Sequence, residues 1–209
     1  GVWAVPSNTV NAEIDQKPWG IAPAISEQIY TLEDALLFAG MQMVILRNAD
    51  VIKIACQSLL TNISACIMTE KNGEYWLQTI YYPFHYFATY AKGTVLKTAS
   101  IGPCYSCAEF DGVPYVDSLV VWNEEDQELV IFAVNRSEEE LQKAEVDLQD
   151  FEIQHVIESI CMTAENKKMT NMEQHDAVIP KKEKNVEIET GRCQIALQPL
   201  SFNMVRLAV

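Results

Sequence analysis

Residues 116–135 read VDSLVVWNEEDQELVIFAVN. Two apolar runs, Val116–Trp122 and Leu129–Asn135, stand on either side of the polar cluster Asn123–Gln127. β-Branched and aromatic residues favour strands, and short polar clusters are typical of the turns that join them. The pattern therefore predicts an antiparallel hairpin with a turn at the polar cluster.

Further short runs of strand-forming residues follow this hairpin, separated by turn signals and without an intervening helical pattern. They are Leu141–Leu148, His155–Met162, Gln194–Leu197 and Phe202–Leu207. Several short strands joined by turns indicate an antiparallel β-sandwich, here of a jelly-roll-like kind. The polar residues 164–184 are predicted to form a long loop between two of these strands.

Before Gly93 the pattern differs, because helical and strand signals alternate. Thr31 is a good N-cap, and apolar residues recur at helical spacing from Leu32 to Leu46. The run Val51–Cys56 is apolar and β-branched on both faces, which predicts a buried parallel strand.

A second helix is predicted over Trp76–Tyr90, with a kink or break at Pro83. Strand and helix in alternation indicate an α/β barrel, but a complete barrel needs about 250 residues. The part before Gly93 can therefore hold only the end of one.

Several short motifs, in the same order along nearly the whole chain, resemble the α-L-arabinofuranosidases of glycoside hydrolase family fifty-one. They are Gly1-Val2-Trp3, Glu33–Leu37, Ala49–Ala55, Ile67–Gly73, Gln78–Phe84, Asp111–Tyr115, Phe132–Arg136 and Leu200–Leu207. In that family a barrel strand ends in Asp-Glu-Trp followed by a motif similar to the first of these. The resemblance identifies the chain with the C-terminal part of such an enzyme.

This resemblance implies a domain division and a mechanism. Residues 1–93 would run from the end of the seventh barrel strand through the eighth helix, and residues 94–209 would form the sandwich. The family hydrolyses terminal arabinofuranosyl groups of arabinan and arabinoxylan oligosaccharides with retention. Its nucleophile would stand two residues before Gly1, and its acid/base would lie on the fourth strand. The chain as given would then hold no catalytic residue and would be inactive alone.

Two residues are candidates for contact with the sugar. In the resembled family the tryptophan at the position of Trp3 contacts arabinose, and an indole can offer both an apolar face and an N–H donor. The family's pocket glutamine falls on Leu59, which cannot form a hydrogen bond. Gln57 lies two residues earlier, on the same side of an extended strand, and is the candidate replacement. The change at Leu59 leaves open a different substrate, such as a β-glucan.

Composition limits the other partners. A net charge of −14 disfavours nucleic acids and anionic membranes. The six cysteines are expected to be reduced thiols, which fits the cytoplasm of a bacterium. Cys104 and Cys107 have the spacing of a zinc or redox pair, but no second ligand pair follows, so we expect no metal and no cofactor.

Two further expectations concern assembly and an alternative function. The apolar helix and strand before Gly93 need the remainder of a barrel as a partner, and the resembled family commonly forms homo-oligomers. The alternative is a non-catalytic sandwich module for carbohydrate binding or subunit association. In that case Tyr115 and Trp122 could form a sugar platform, although the alternation of a strand places at least some of the aromatic residues in the core.

Overall fold

A computed structural model describes residues 28–148, 150–189 and 191–209. The described residues contain two helices and thirteen strands. The helices are α1 (Leu32–Arg47) and α2 (Tyr81–Tyr90). The strands are β1 (Ile67–Thr69), β2 (Tyr75–Leu77), β3 (Thr94–Leu96), β4 (Cys104–Tyr105), β5 (Val113–Pro114), β6 (Val116–Asn123), β7 (Glu128–Asn135), β8 (Gln142–Asp147), β9 (His155–Met162), β10 (Lys181–Lys182), β11 (Val186–Glu189), β12 (Arg192–Leu197) and β13 (Ser201–Ala208).

Two antiparallel sheets form the sandwich. The larger has six strands in the order β10-β9-β13-β7-β6-β3, and the smaller has three in the order β11-β12-β8. The predicted hairpin is confirmed, since β6 and β7 pair from Val116 opposite Asn135 to Asn123 opposite Glu128. The strands predicted after it are also confirmed, with ends that differ by one or two residues.

The six-stranded sheet is covered on both faces. On β7, Val130, Phe132 and Val134 pack with the residues of α1 and α2. The alternate residues Leu129 and Ile131 pack against the three-stranded sheet. Because successive side chains of a strand point to opposite faces and both faces are covered, β7 is buried from Leu129 to Asn135. The molecule is therefore layered as helices, large sheet and small sheet.

Helix α1 begins where the sequence predicts. The Thr31 side chain accepts a hydrogen bond from the Asp34 N–H (3.2 Å), and the Thr31 N–H donates to the Asp34 carboxylate (2.8 Å). This reciprocal capping box satisfies two backbone donors that the first turn leaves without helical partners. At the other end, Arg47 donates to Asp117 and to the Ser118 carbonyl of β6, which ties the helix to the sheet.

The predicted buried strand at Val51–Cys56 is wrong. These residues form a turn and irregular chain, and Val51 and Ile54 are 77% and 83% exposed. A parallel strand needs hydrogen-bonding neighbours along its edges. Among the residues that the structure describes, no strand pairs with this run, so its apolar composition alone does not make it a strand.

The second predicted helix is too long at its start. Residues Tyr75–Leu77 form β2, which pairs with β1, and α2 begins only at Tyr81. Pro83 is the third residue of α2 and does not interrupt it. The N–H groups of the first turn have no helical acceptor, so the missing donor of proline costs nothing there.

The change of pattern at Gly93 coincides with the entry of the chain into the large sheet. Gly93 has φ +112°, and a Cβ at this position would lie 2.1 Å from the carbonyl oxygen of Trp122. Directly after it, Thr94 pairs with Trp122 as the first residue of β3. Only glycine fits this close approach of two backbones.

The loop predicted for residues 164–184 is confirmed in most of its length, although it ends in the short strand β10. The side chain of Asn171 stabilises the loop through three hydrogen bonds. Its amide donates to the Leu77 and Val178 carbonyls (3.0 and 3.1 Å) and accepts from the Val178 N–H (2.8 Å). Met169 accepts a hydrogen bond from the Leu32 N–H at the start of α1 (2.9 Å). The loop thus packs against the beginning of α1.

Candidate functional site

The two candidate sugar contacts differ in what the structure shows of them. Trp3 lies outside the described residues. Gln57 is half-buried, and within the described ranges its side-chain amide donates to the carbonyl of its neighbour Ser58 (3.2 Å). Leu59 is 51% exposed and has a positive φ of 65°, so this chain is not the extended strand on which the same-side argument for Gln57 rested.

Gln57 lies within a segment that has many exposed apolar side chains, here called the exposed segment (residues 51–63). Its large apolar side chains are 38% to 83% exposed; they are Val51, Ile52, Ile54, Leu59, Leu60 and Ile63. A concentration of apolar surface of this kind marks a contact surface for another polypeptide segment.

A buried polar network fixes the chain beside the exposed segment. The Gln78 amide accepts from the Tyr30 N–H (3.0 Å) and donates to the Gln28 and Ala65 carbonyls (2.9 and 2.7 Å). The Tyr30 hydroxyl donates to the Ser64 carbonyl (3.2 Å), and burial raises the pKa of Tyr30. The network joins the segment that leads into α1 to the segment that leads into α2.

A cleft of about 730 Å³ lies between α1 and the edge of the sandwich and is here called the α1 cleft. One wall is the apolar face of α1, with Leu37, Met41 and Val44. Tyr105 of β4 and Tyr115 contribute the opposite wall, with ring centroids 5.0 Å apart. Sequence reasoning had placed Tyr115 with Trp122 and missed Tyr105, which the β4–β5 pairing brings beside it.

The predicted platform of Tyr115 and Trp122 is therefore wrong. Trp122 packs against Phe151, with ring centroids 5.0 Å apart, and belongs to the interior between the two sheets. Tyr115 precedes β6 and lines the α1 cleft. Trp122 lies within β6 on the face toward the small sheet, whereas Tyr115 lies before the strand begins, so the two aromatic rings do not share a surface.

Charged groups at the α1 cleft are held in place by ion pairs. Asp117 accepts from Arg47 (2.5 Å) and from Arg136 (2.9 Å), and only 18% of its side chain is exposed. Arg136 also donates to the Pro114 carbonyl (3.1 Å). Near the start of α1, Lys167 lies 2.5 Å from Glu138 and 3.7 Å from Glu33.

Three acidic side chains near the start of α1 and the β1–β2 turn, Glu33, Glu70 and Glu74, take part in structural contacts. Glu33 also pairs with Lys168 (2.6 Å). Glu70 and Glu74 close the turn between β1 and β2 through backbone hydrogen bonds, and Glu74 lies 3.7 Å from His175. His175 in turn stacks on the buried Trp76 ring at 4.5 Å.

The six cysteines are free thiols. Cys66, Cys161 and Cys193 are buried, and burial raises the pKa of each thiol to about 11. Cys104 and Cys107 are exposed, and the described residues contain no group of three side chains suited to hold a metal ion. None of the helices in the described ranges is long and apolar enough to span a bilayer.

Comparison with known proteins decides the family. The model of the α-L-arabinofuranosidase C-terminal domain matches residues 1–201. The chain belongs to this family. An intracellular exo-α-(1→5)-L-arabinofuranosidase from Halalkalibacterium halodurans is 40% identical over 98% of this chain, and one from Bacillus subtilis is 38% identical over the same share. The match covers 41% of each of these relatives, so the chain spans about two fifths of their length.

Solved structures agree. A family 51 α-L-arabinofuranosidase from Bifidobacterium longum superposes with a TM-score of 0.82 and 28% identity, over 91% of this chain and 38% of that one. The family 51 arabinofuranosidase from Xanthomonas axonopodis shares the fold, with a TM-score of 0.80 at 23% identity over 90% of this chain and 38% of that one. The resemblance seen in the sequence motifs, and the sandwich that the sequence predicts, are thereby confirmed.

Proposed function

We propose that this arabinofuranosidase-family chain is the C-terminal portion of a retaining exo-α-L-arabinofuranosidase that removes terminal arabinofuranosyl groups from arabinan or arabinoxylan oligosaccharides. The observation that carries the proposal is the 40% identity over 98% of the chain to a relative named for exo-α-(1→5) activity. Retention requires two carboxyl groups about 5 Å apart, one as nucleophile and one as acid/base. We place both in a preceding part of the polypeptide.

The domain division follows from the same proposal. Residues 1–93 complete a (β/α)8 barrel from the end of its seventh strand through its eighth helix, and residues 94–209 form the sandwich. The exposed segment supports this division, because its apolar side chains need a neighbour that the described residues do not supply. In a completed barrel, the preceding part of the polypeptide would cover these side chains.

The remaining assignments are part of this proposal. Trp3 and Gln57 contact the sugar at the barrel end, and the enzyme works inside the bacterial cell, as the names of the two relatives state for those proteins. Its partners are the arabinofuranoside substrate, the rest of the barrel and further copies of itself.

Hydrolysis of p-nitrophenyl α-L-arabinofuranoside tests the proposal. The 209-residue chain should release no p-nitrophenol, whereas the polypeptide encoded with the codons upstream of Gly1 should release it. NMR of the first-formed sugar should show the α-anomer, the sign of retention. Turnover by the 209-residue chain contradicts the placement of the carboxyl groups, and an inactive longer polypeptide favours the non-catalytic alternative.

Gln57 is tested in the longer polypeptide. Gln57→Ala should weaken binding of an arabinose analogue about tenfold, because one hydrogen bond to a sugar hydroxyl contributes about 1 kcal/mol or more. Unchanged affinity removes Gln57 from the site and leaves the proposed reaction intact.

A further inference from the structure

We propose that the α1 cleft is a second carbohydrate-binding site, which holds a neutral oligosaccharide away from the barrel end. The choice of an arabinan-type chain as ligand rests on the proposed function. The cleft itself is assembled from α1 and the sandwich, so it lies within the described residues and needs no catalytic carboxylate.

The size and walls of the cleft suit a short sugar chain. Its volume of about 730 Å³ falls within the range of small-molecule sites, roughly 300–1,000 Å³. Tyr105 and Tyr115 offer two ring faces 5.0 Å apart on one side, and Leu37 and Met41 offer apolar surface on the other. Sugar rings present apolar C–H faces to such walls while their hydroxyls point along the cleft.

The charges of the cleft select against an anionic ligand. Five carboxylates line it, from Glu33, Asp117 and Glu138–Glu140, along with the two cations Arg136 and Lys167. Arg47 and Lys168 pair with Asp117 and Glu33 from outside the lining, which leaves a net excess of one negative charge. A uronic acid or a phosphate would be repelled by this excess of negative charge. Neutral hydroxyl groups can donate to carboxylates in strong, charge-assisted hydrogen bonds.

The same charges distinguish a sugar from a covering polypeptide. An apolar protein surface laid over the cleft would remove these ionised groups from water, and that desolvation is costly. A sugar chain keeps water at the rim and supplies hydrogen-bonding hydroxyls to the charged side. The exposed segment, by contrast, carries no comparable cluster of acids and is the better surface for protein contact.

The cleft is also organised before a ligand arrives. The Arg136 N–H donates to the Tyr115 carbonyl (2.8 Å), and the Tyr115 N–H donates to the Pro103 carbonyl (3.1 Å). Asp117 is held between Arg47 and Arg136. Tyr115 therefore stands on a backbone that is bonded on both sides, which lowers the entropic cost of binding.

Isothermal titration of the 209-residue chain with α-1,5-linked arabinopentaose tests the proposal. Tyr105→Ala and Tyr115→Ala should each weaken binding about tenfold, through loss of one stacking face. Tyr75→Ala is the matched control, because Tyr75 is a 71% exposed tyrosine outside the cleft, and it should leave the affinity unchanged. Circular dichroism of each variant establishes that it is folded, and an oligogalacturonate of equal length should not bind.

The outcomes separate this inference from the proposed reaction. Absence of sugar binding, or binding that neither tyrosine variant weakens, overturns the second site even if the longer polypeptide hydrolyses arabinofuranosides. Binding of a lysine-rich peptide in place of the sugar overturns it as well. Sugar binding that depends on both tyrosines, together with an inactive longer polypeptide, retains the site and refutes the proposed reaction.

Discussion

Two apolar runs of similar composition occupy opposite environments in this molecule. Residues 51–56 read VIKIAC and lie exposed, whereas residues 129–134 read LVIFAV and are buried as the centre of β7. Ile54 is 83% exposed and Phe132 is fully buried. The difference cannot come from hydrophobicity alone, since both runs favour burial and both favour strand.

The difference lies in their neighbours. Strand β7 is hydrogen-bonded to β6 on one edge and to β13 on the other, and both faces of its sheet are covered. Residues 51–56 have no paired strand among the described residues. An apolar run thus favours burial, but whether it is buried depends on the strands and helices that pair with it and pack against it.

The largest expected effect tests this contrast directly. Phe132→Ala should lower the free energy of unfolding by about 3–5 kcal/mol, because it removes a buried ring and leaves a cavity. The ring stacks on Phe87 of α2 at 4.3 Å, so the contact between sheet and helices is lost as well. Urea denaturation followed by circular dichroism measures the change.

The matched control is Ile54→Ala in the exposed segment, which should change the free energy of unfolding by less than about 0.5 kcal/mol. A large loss at Ile54 would show that residues 51–56 are buried in solution, for instance between copies of the chain. The contrast between the two runs would then disappear.

A second prediction compares two glutamines. Gln78→Ala should cost about 2–4 kcal/mol, because it leaves the buried Tyr30 N–H and the Gln28 and Ala65 carbonyls without this partner. Gln57→Ala should leave stability almost unchanged, since in the part of the chain that the structure describes its amide bonds to the adjacent Ser58 carbonyl, a local contact. Thermal unfolding of both variants measures the two changes in stability. Equal losses of stability would contradict the difference in burial between the two glutamines.

The sandwich could be predicted from the sequence because its strands and turns are recognisable from local residue patterns. In residues 116–135 the turn and both strands are adjacent in the chain, so local pattern and final pairing agree. It also found the cap of α1, since Thr31 and Asp34 are three residues apart. It failed at Val51–Cys56, where the partner strands are not local, and at Trp76, where pairing with Met68 overrides helical spacing.

The α1 cleft could not be predicted from the sequence, because its residues come together only through non-local contacts. Tyr105 and Tyr115 are ten residues apart and meet only because β4 and β5 pair. Arg136 comes from the end of β7 and Leu37 from α1, and no local pattern connects them. The position of the acidic residues Glu138–Glu140 beside the two tyrosines likewise depends on the tertiary fold.

A third prediction concerns the pH dependence of stability. Burial raises the pKa of Cys193 from 9.0 to about 11, so the unfolded chain loses this proton at lower pH than the folded one. The contribution of Cys193 is complete below pH 9 and should decline between pH 9 and 11, by about 2–3 kcal/mol. Cys193→Ala should flatten the fall in unfolding free energy over this range.

A second buried thiol, just after the exposed segment, provides the comparison for this measurement. Cys66→Ala should flatten the fall over the same pH range to a similar degree, because burial raises the pKa of the Cys66 thiol to about 11 as well. An unchanged pH dependence in both variants would contradict the burial of these two thiols.

The smallest expected effect is that of a substitution in α1. It tests whether a more stable helix changes the exposure of the segment that follows it. Gly40 lies within α1, and a Cβ there would be 3.9 Å from Arg136, an ordinary contact. Gly40→Ala should therefore stabilise the chain by about 0.5–1 kcal/mol through helix propensity. Gly93→Ala should act in the opposite direction, because its φ is +112° and its Cβ would meet the Trp122 carbonyl oxygen. Hydrogen exchange at residues 51–56 should remain fast in Gly40→Ala, because a firmer helix supplies no strand partner; slowed exchange there would show that α1 itself determines the exposure of those residues.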